Sequence, residues 1–290
     1  MTRLRSWRRR ALRLADEARF RRFEPAMHHS FFIVSAAYQA APWVERHLES
    51  VRTQRYPSAR ITHLVIDDAS PDATVDTAER YGARFPEYRL TVQRNPVNRG
   101  GCANLTRGFR AAPPGSIVLQ VDADDWLADR EVLAYLNMVF QDPQVWMTYN
   151  TWVFPDGRRG VNCEPIATDV AAARRFRQAG WISSHLHAFR AELFAQVPDA
   201  QMVDPDTGDF WRSAVDMAQY FPMLELAGPH ARHLDRPLYV YNLHQGSIIS
   251  SRRAEQLACE QRIRAMPPLP VLASLPSPSS EASSHGQARP

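Results

Sequence analysis

Val118-Leu119-Gln120-Val121-Asp122-Ala123-Asp124-Asp125 decides the fold: a short, mostly apolar run that ends abruptly in three carboxylates. A run of this length and kind, bounded by turn-forming residues, predicts a buried strand. The same arrangement stands earlier in the chain, where a strand predicted over Ile61 to Asp67 opens into Asp67-Asp68-Ala69-Ser70-Pro71-Asp72. Carboxylates crowded at strand ends repel one another unless a positive group joins them. A divalent cation is the simplest such group. Asp122 and Asp124, one residue apart around a tight turn, are suited to hold Mg2+ or Mn2+ together with diphosphate oxygens. Asp72 reads instead as the cap of the following helix. The competing reading of both acidic runs is plain turn formation and capping.

Working outward, strands alternate with helical periods. Phe31 to Val34 predicts a first strand, and Pro42 to Thr53 a helix with Trp43, Val44, His47, Leu48 and Val51 on one face. A helix capped by Asp72 runs to about Arg84, a strand spans Arg89 to Gln93, and a helix spans Gly101 to Ala111 with Cys102, Leu105 and Phe109 inward. The strand over Ser116 to Val121 is followed by a helix over Asp129 to Phe140. Such alternation predicts an α/β fold with a mostly parallel, doubly wound sheet, which binds ligands beyond the carboxyl ends of its strands. After Val145 the pattern loosens, with helices expected near Asp169 to Ala179 and Phe210 to Ala227 and a strand at Leu238 to Tyr241. This half reads as a lid or acceptor region. Pro267 to Pro290, rich in Pro, Ser and Ala, predicts disorder.

With 290 residues, 44% of them apolar and 23% charged, the chain can bury a core, and no apolar run approaches the ~18 residues a membrane span needs. Its 35 basic residues, all arginine, exceed its 31 acidic ones by four. Arg3, Arg5, Arg8, Arg9, Arg10, Arg13, Arg19, Arg21 and Arg22 supply that excess, so the rest is near neutral and offers nucleic acid little. Thr2 to Glu24, with Leu4, Trp7, Ala11, Leu12, Ala15 and Ala18 at helical spacing, predicts an amphipathic arm. It suits either anionic lipid or simple solvation. No apolar stretch follows the arginines as a secretory signal requires, and three scattered cysteines (Cys102, Cys163, Cys259) fit a reducing compartment. The expected location is cytoplasmic, with peripheral membrane contact through the arm.

Four motifs now stand in order: Ser35-Ala36-Ala37-Tyr38-Gln39, Asp67-Asp68-Ala69-Ser70-Pro71-Asp72-Ala73-Thr74, Asn98-Arg99-Gly100-Gly101 and Asp122-Ala123-Asp124-Asp125. In that order and spacing the chain, over about Phe31 to Ser250, resembles the inverting family 2 glycosyltransferases of the GT-A fold. The resemblance implies that Ala36 and Tyr38 border the nucleotide base and that Asp67 or Asp68 accepts from uracil N3–H. It sets Asn98 and Arg99 beside the nucleoside and diphosphate, Asp122 toward the ribose, and Asp124 as principal metal ligand with Asp122. His244, after a closing segment from Arg236 to Asn242, would reach the metal or the diphosphate. The stretch from Gly208 to Gly228 resembles the acceptor-side helix and sets Asp216 at the general-base position, with Val215 where a Glu often precedes it and with Asp209 and Glu225 as fallbacks. His185 belongs to a stretch that lines the sugar or acceptor pocket in the family. Trp126, Trp181, Phe210 and Trp211 are suited to stacking on sugars, although core packing explains each one alone. Two departures stand out: the usual Pro-x-Tyr-Asn is Ala36-Ala37-Tyr38-Gln39, and the usual Gly after the aspartate pair is Ala69.

The implied organisation is a basic arm (1–25), a nucleotide-sugar-binding half (26–145), an acceptor-binding half (146–266) and a disordered tail (267–290). The implied activity is metal-dependent, inverting transfer from a nucleoside diphosphate sugar, UDP-linked, to a glycan, lipid-linked or protein acceptor. A sugar-nucleotide nucleotidyltransferase would share the sheet but carry a Gly-rich phosphate loop where Ala36-Ala37-Tyr38-Gln39-Ala40 stands. A catalytically silent assembly subunit would have no need of Asp122, Asp124 and Asp216.

Overall fold

Alternate residues of the first strand enter different cores, which is the signature of a sheet covered on both faces. In the computed structural model, which describes residues 13–181, 183, 185–243 and 253–278, Phe31 and Ile33 of β1 (Phe31–Ala37) join one apolar cluster and Phe32 and Val34 the other. Among the described residues the sheet runs β3-β2-β1-β4-β7-β6-β8-β5. β2 (Ile61–Asp67), β3 (Leu90–Arg94) and β4 (Ile117–Gln120) extend β1 in parallel, as the alternation requires. β7 (Ala188–Arg190) joins β4 antiparallel, β6 (Met147–Val153) pairs antiparallel with β7 and parallel with β8 (Ala231–Val240), and β5 (Trp126–Leu127) closes the edge antiparallel to β8. The parallel register puts Ala37 beside Asp67, so the first three motifs and the acidic turn after β4 meet at one edge.

One face is covered by α2 (Val44–Arg52), α3 (Thr74–Arg84) and α5 (Val132–Phe140), through Val44, Leu48, Ala78, Val132 and Leu136. The other is covered by α4 (Gly101–Arg110), α7 (Ala191–Ala195), α8 (Val215–Ala227) and α9 (Arg253–Ala265). Each leucine-sized side chain buried there contributes ~1.5–3 kcal/mol. α4 approaches β1 so closely that a Cβ on Gly108 would lie 2.3 Å from Val34 Cγ1, so this position requires glycine.

Several expectations need correction. The helix foreseen over Asp169 to Ala179 is the short α6 (Thr168–Ala172). The chain breaks at Arg174, with φ +55°, and Arg177 turns inward to a buried carboxylate, so a tertiary ion pair overrides local propensity. α8 begins at Val215 and not near Phe210, because Trp211 is pulled into the core and donates its indole N–H to the Gln201 carbonyl. Finally, residues 267–278 are packed, not disordered: Leu269, Leu272 and Leu275 lie against the second core, and Leu272 N–H donates to the Leu226 carbonyl. Average composition hid these leucines.

The described part of the N-terminal arm is a helix, α1 (residues 13–21). Its inward face carries Asp16, Glu17 and Phe20, not the alanines of the expected apolar stripe. Asp16 accepts from the Tyr135 hydroxyl, Glu17 pairs with Arg236 at 3.4 Å, and Phe20 meets Tyr135 edge to face. Arg13, Leu14, Arg19, Arg21 and Arg22 face solvent. No helix among the described residues is long and apolar enough to cross a membrane.

Candidate active site

The two aspartates after β2 divide into a brace and an open acceptor. Asp68 takes hydrogen bonds from Asn95 Nδ2 (2.9 Å) and from the backbone N–H groups of Arg99 (2.7 Å) and Gly100 (2.8 Å). Burial works against its charge, but these hydrogen bonds outweigh it and hold the carboxyl below its ordinary pKa. Asp68 therefore ties down the Asn95–Gly100 loop. Asp67 is fully buried, and its Oδ2 accepts from Ser70 N–H at 3.0 Å. Its Oδ1 is buried with no hydrogen-bond partner, an acceptor such a site does not leave idle without cost.

Around this pair the backbone is unusual. Gln39 (φ +55°) and Ala69 (φ +61°) both occupy the left-handed region, and Gln39 N–H donates to Ser70 Oγ. Tyr38 is 51% exposed, and Asn98 and Arg99 are exposed at the rim, with Asn98 Nδ2 donating to the Asp68 carbonyl. Ala36 joins this group to the acidic turn by accepting from Ala123 N–H at 3.2 Å.

The acidic turn is stapled from below. Asp125 is buried and accepts from the Tyr239 hydroxyl (2.6 Å) and from Asn242 N–H (2.7 Å), while Asn242 Nδ2 donates to the Asp124 carbonyl. Asp122 N–H donates to the same Tyr239 hydroxyl. Burial pushes the Asp122 pKa up to about 6; His185 opposes this, and Asp124 and Asp216 reinforce it. Asp122, Asp124, Asp216 and His185 thus share one electrostatic site, where His185 Nε2 lies 3.7 Å from Asp216 Oδ2. Asp216 sits in the first turn of α8 with its side chain 36% exposed, and His185 stacks on Tyr239 and Tyr241.

Among the described residues no three His, Cys, Asp or Glu side chains form a ready metal cage. Two carboxylates one residue apart, one of them disfavoured as an anion chiefly by burial, still suit a hard cation that completes its shell with phosphate oxygens. His244 lies outside the described residues.

The fallback bases fare differently. Glu225 is fully buried in a fork with Arg177 (2.6 and 2.9 Å) and accepts from Leu269 N–H, so it cannot meet an acceptor. Asp209 lies in an exposed turn, where its carbonyl accepts from Asp204 N–H and its own N–H donates to Thr207 Oγ1. Trp126 and Trp211 are core, Trp181 packs edge to face on Phe221, and Phe210 is exposed. Tyr239 and Asn242 fall within the closing segment read from the sequence, but nothing local marked them as partners of Asp125, and Gln120 carried one signal, as a polar residue inside an apolar strand.

The glycosyl transferase family 2 profile matches residues 32–196 of this chain. The chain belongs to this family. Among curated relatives, TarS of Staphylococcus aureus, a poly(ribitol-phosphate) beta-N-acetylglucosaminyltransferase, is 27% identical over 97 residues, which are 33% of this chain and 16% of TarS. The uncharacterized glycosyltransferase YibD of Escherichia coli K12 is 28% identical over 138 residues, 47% of this chain and 38% of YibD. The match therefore spans well under half of either relative. Two solved structures share the fold. The family 2 chain superposes on TarS 1–349 with UDP-GlcNAc at a TM-score of 0.57, with 22% identity, covering 77% of this chain and 61% of that one. It superposes on the mannosyltransferase PcManGT of Pyrobaculum calidifontis, solved with GDP-Man and Mn2+, at 0.59, with 21% identity, covering 89% and 72%. The GT-A assignment of the mixed α/β sheet stands.

Proposed function

We propose that this family 2 chain transfers a sugar, with inversion and with the aid of Mn2+ or Mg2+, from a UDP-linked donor to a hydroxyl of a glycan, lipid-linked or protein acceptor. The observation that carries this reading is the meeting of Asp122, Asp124 and Asp216 in one site at the carboxyl edge of the parallel strands. Donor binding falls to residues 26–145 and acceptor binding to 146–266. The unpartnered Oδ1 of Asp67 accepts uracil N3–H, because the Asp68 oxygens are already engaged. Ala36 and Tyr38 flank the base, and Asn98 and Arg99 flank the nucleoside and diphosphate.

Asp216 takes the proton of the acceptor hydroxyl onto a carboxylate oxygen as that hydroxyl oxygen bonds to the anomeric carbon. The bond from the anomeric carbon to the diphosphate breaks, and its electron pair leaves with the nucleoside diphosphate. Attack opposite the leaving group inverts the anomeric centre. Asp124 and Asp122 would hold the cation, which would supply charge neutralisation at the diphosphate. His185, 3.7 Å from Asp216, orients that carboxylate. The outward arginines of α1 make peripheral contact with anionic lipid.

The solved relatives hold UDP-GlcNAc and GDP-Man, so the test compares both nucleotides. Calorimetric titration of UDP and GDP, each with Mn2+ and with EDTA, is expected to show UDP binding that needs the cation. Equal affinity in EDTA refutes metal dependence, and absence of binding by either nucleotide refutes the donor class.

A further inference from the structure

Gln120 is the buried last residue of β4, between the buried Leu119 and Val121 and two residues before Asp122. Burying an amide without partners costs ~1–3 kcal/mol, so a polar side chain in this strand must be well bonded. Its Nε2 donates to Asp122 Oδ1 at 3.0 Å, and its Oε1 accepts from the Tyr220 hydroxyl at 2.6 Å. Tyr220 is fully buried on α8, four residues and about one turn after Asp216. Its ring stacks on His187 with centroids 3.4 Å apart and planes 14° apart, and His187 Nε2 lies 3.0 Å from Ser183 Oγ.

The chemistry of this chain has one direction. An ionised carboxylate only accepts, so the amide must turn its NH2 toward Asp122 and leave its carbonyl for a donor. The Tyr220 hydroxyl is that donor, since burial raises its pKa well above the ordinary phenol value and keeps the proton in place. Without the hydroxyl the amide carbonyl is left buried with no side-chain donor, and the amide is held at one end only.

We propose that Gln120 and Tyr220 are positioning residues: together they hold the Asp122 carboxylate in fixed relation to the helix that carries Asp216. The tie spans the two halves of the site, joining the donor-side turn to the acceptor-side helix, and touches no reacting atom. The inference rests on the function proposed above, in which Asp122 and Asp216 serve one reaction.

The test is a double-mutant cycle of Gln120→Leu, Tyr220→Phe and both together, read by UDP affinity in Mn2+ and by melting temperature. Partners that orient a metal-binding carboxylate typically alter affinity 10–100-fold when removed. Gln120→Leu is expected to weaken UDP binding within that range and Tyr220→Phe several-fold, while the double variant binds no worse than Gln120→Leu, because Tyr220 acts only through Gln120. Additive losses overturn the proposal, as do folded variants with wild-type UDP affinity even if their melting temperatures are coupled. Should Gln120→Leu fail to fold, the near-isosteric Tyr220→Phe decides alone: unchanged UDP affinity overturns the tie. If these variants fail the test while the wild-type chain binds UDP with Mn2+, only the tie falls. A wild-type chain that binds no UDP overturns the proposed function and the tie with it.

Discussion

Asp216→Asn separates chemistry from architecture. The substitution keeps shape and removes charge from a side chain that is 36% exposed and lies 3.7 Å from His185 Nε2. An ion pair at that distance and exposure contributes ~0–1 kcal/mol, and a carboxylate in the first turn of a helix another ~0.3–1 kcal/mol. Together these bound the stability loss at about 2 kcal/mol, or roughly 4–8 °C in melting temperature for a chain of this size. Relief of repulsion with Asp122, whose pKa Asp216 helps to raise, acts in the opposite direction. Loss of a positioned general base lowers kcat ~10²–10⁴-fold, equivalent to ~3–5 kcal/mol at the transition state. The assay measures melting temperature, UDP affinity in Mn2+ and kcat on one purified variant. The expected result is a small thermal shift, unchanged nucleotide affinity and a collapse of kcat with little change in KM. Normal folding, normal UDP binding and near-normal turnover would refute the base assignment. A loss of several kcal/mol of stability with normal activity per folded molecule would show that Asp216 serves the helix instead.

Four further outcomes follow from the same structure. Glu225→Gln strands the guanidinium of Arg177, which is 2% exposed, and should cost ~3–5 kcal/mol in urea unfolding; a change below 1 kcal/mol contradicts the buried-pair account. Burial lowers the pKa of His29, His47, His63 and His187, that of His47 to about 4, so the unfolded chain binds more protons below pH 6.5. These histidines therefore contribute stability that is full above pH 6.5 and lost on acidification by up to ~1.4 kcal/mol per pH unit each, opposed by Asp122 and Asp125, whose pKa values burial raises; net stability that rises from pH 7 to 5 rules this out. Ala69→Gly relieves a left-handed alanine and should stabilise the chain by ~0.5–1 kcal/mol after the entropy of the unfolded glycine is counted, with thermal unfolding as the readout. Arg19, Arg21 and Arg22 changed together to Ser should reduce salt-sensitive co-sedimentation with anionic vesicles and leave turnover on a small acceptor intact; unchanged sedimentation leaves the arm merely solvated.

What was legible in the sequence was local. Apolar runs that end in acidic turns revealed β2 and β4 because a strand's burial pattern and its terminal turn lie within ten residues of each other. The parallel order then followed from chain connectivity. Partnerships between distant residues left no such trace: Tyr220 reaches Gln120 across 100 positions, and Arg177 reaches Glu225 across 48. Glu225 illustrates the cost, since its place on the acceptor-side helix suggested a spare base while its side chain is consumed as a buried counter-ion that also receives the chain near Leu269. The two departures from the family motif show the opposite case. Gln39 and Ala69 replace Asn and Gly at positions whose backbone turns out to be left-handed, the conformation those two family residues tolerate best. The motif thus encodes a backbone shape at the carboxyl edge of β1 and β2 as much as a set of contacts. Keeping that shape with costlier residues implies that the surrounding bonds, Gln39 N–H to Ser70 Oγ and Ser70 N–H to Asp67 Oδ2, over-determine it. Those bonds hold Asp67 with one oxygen engaged and the other waiting.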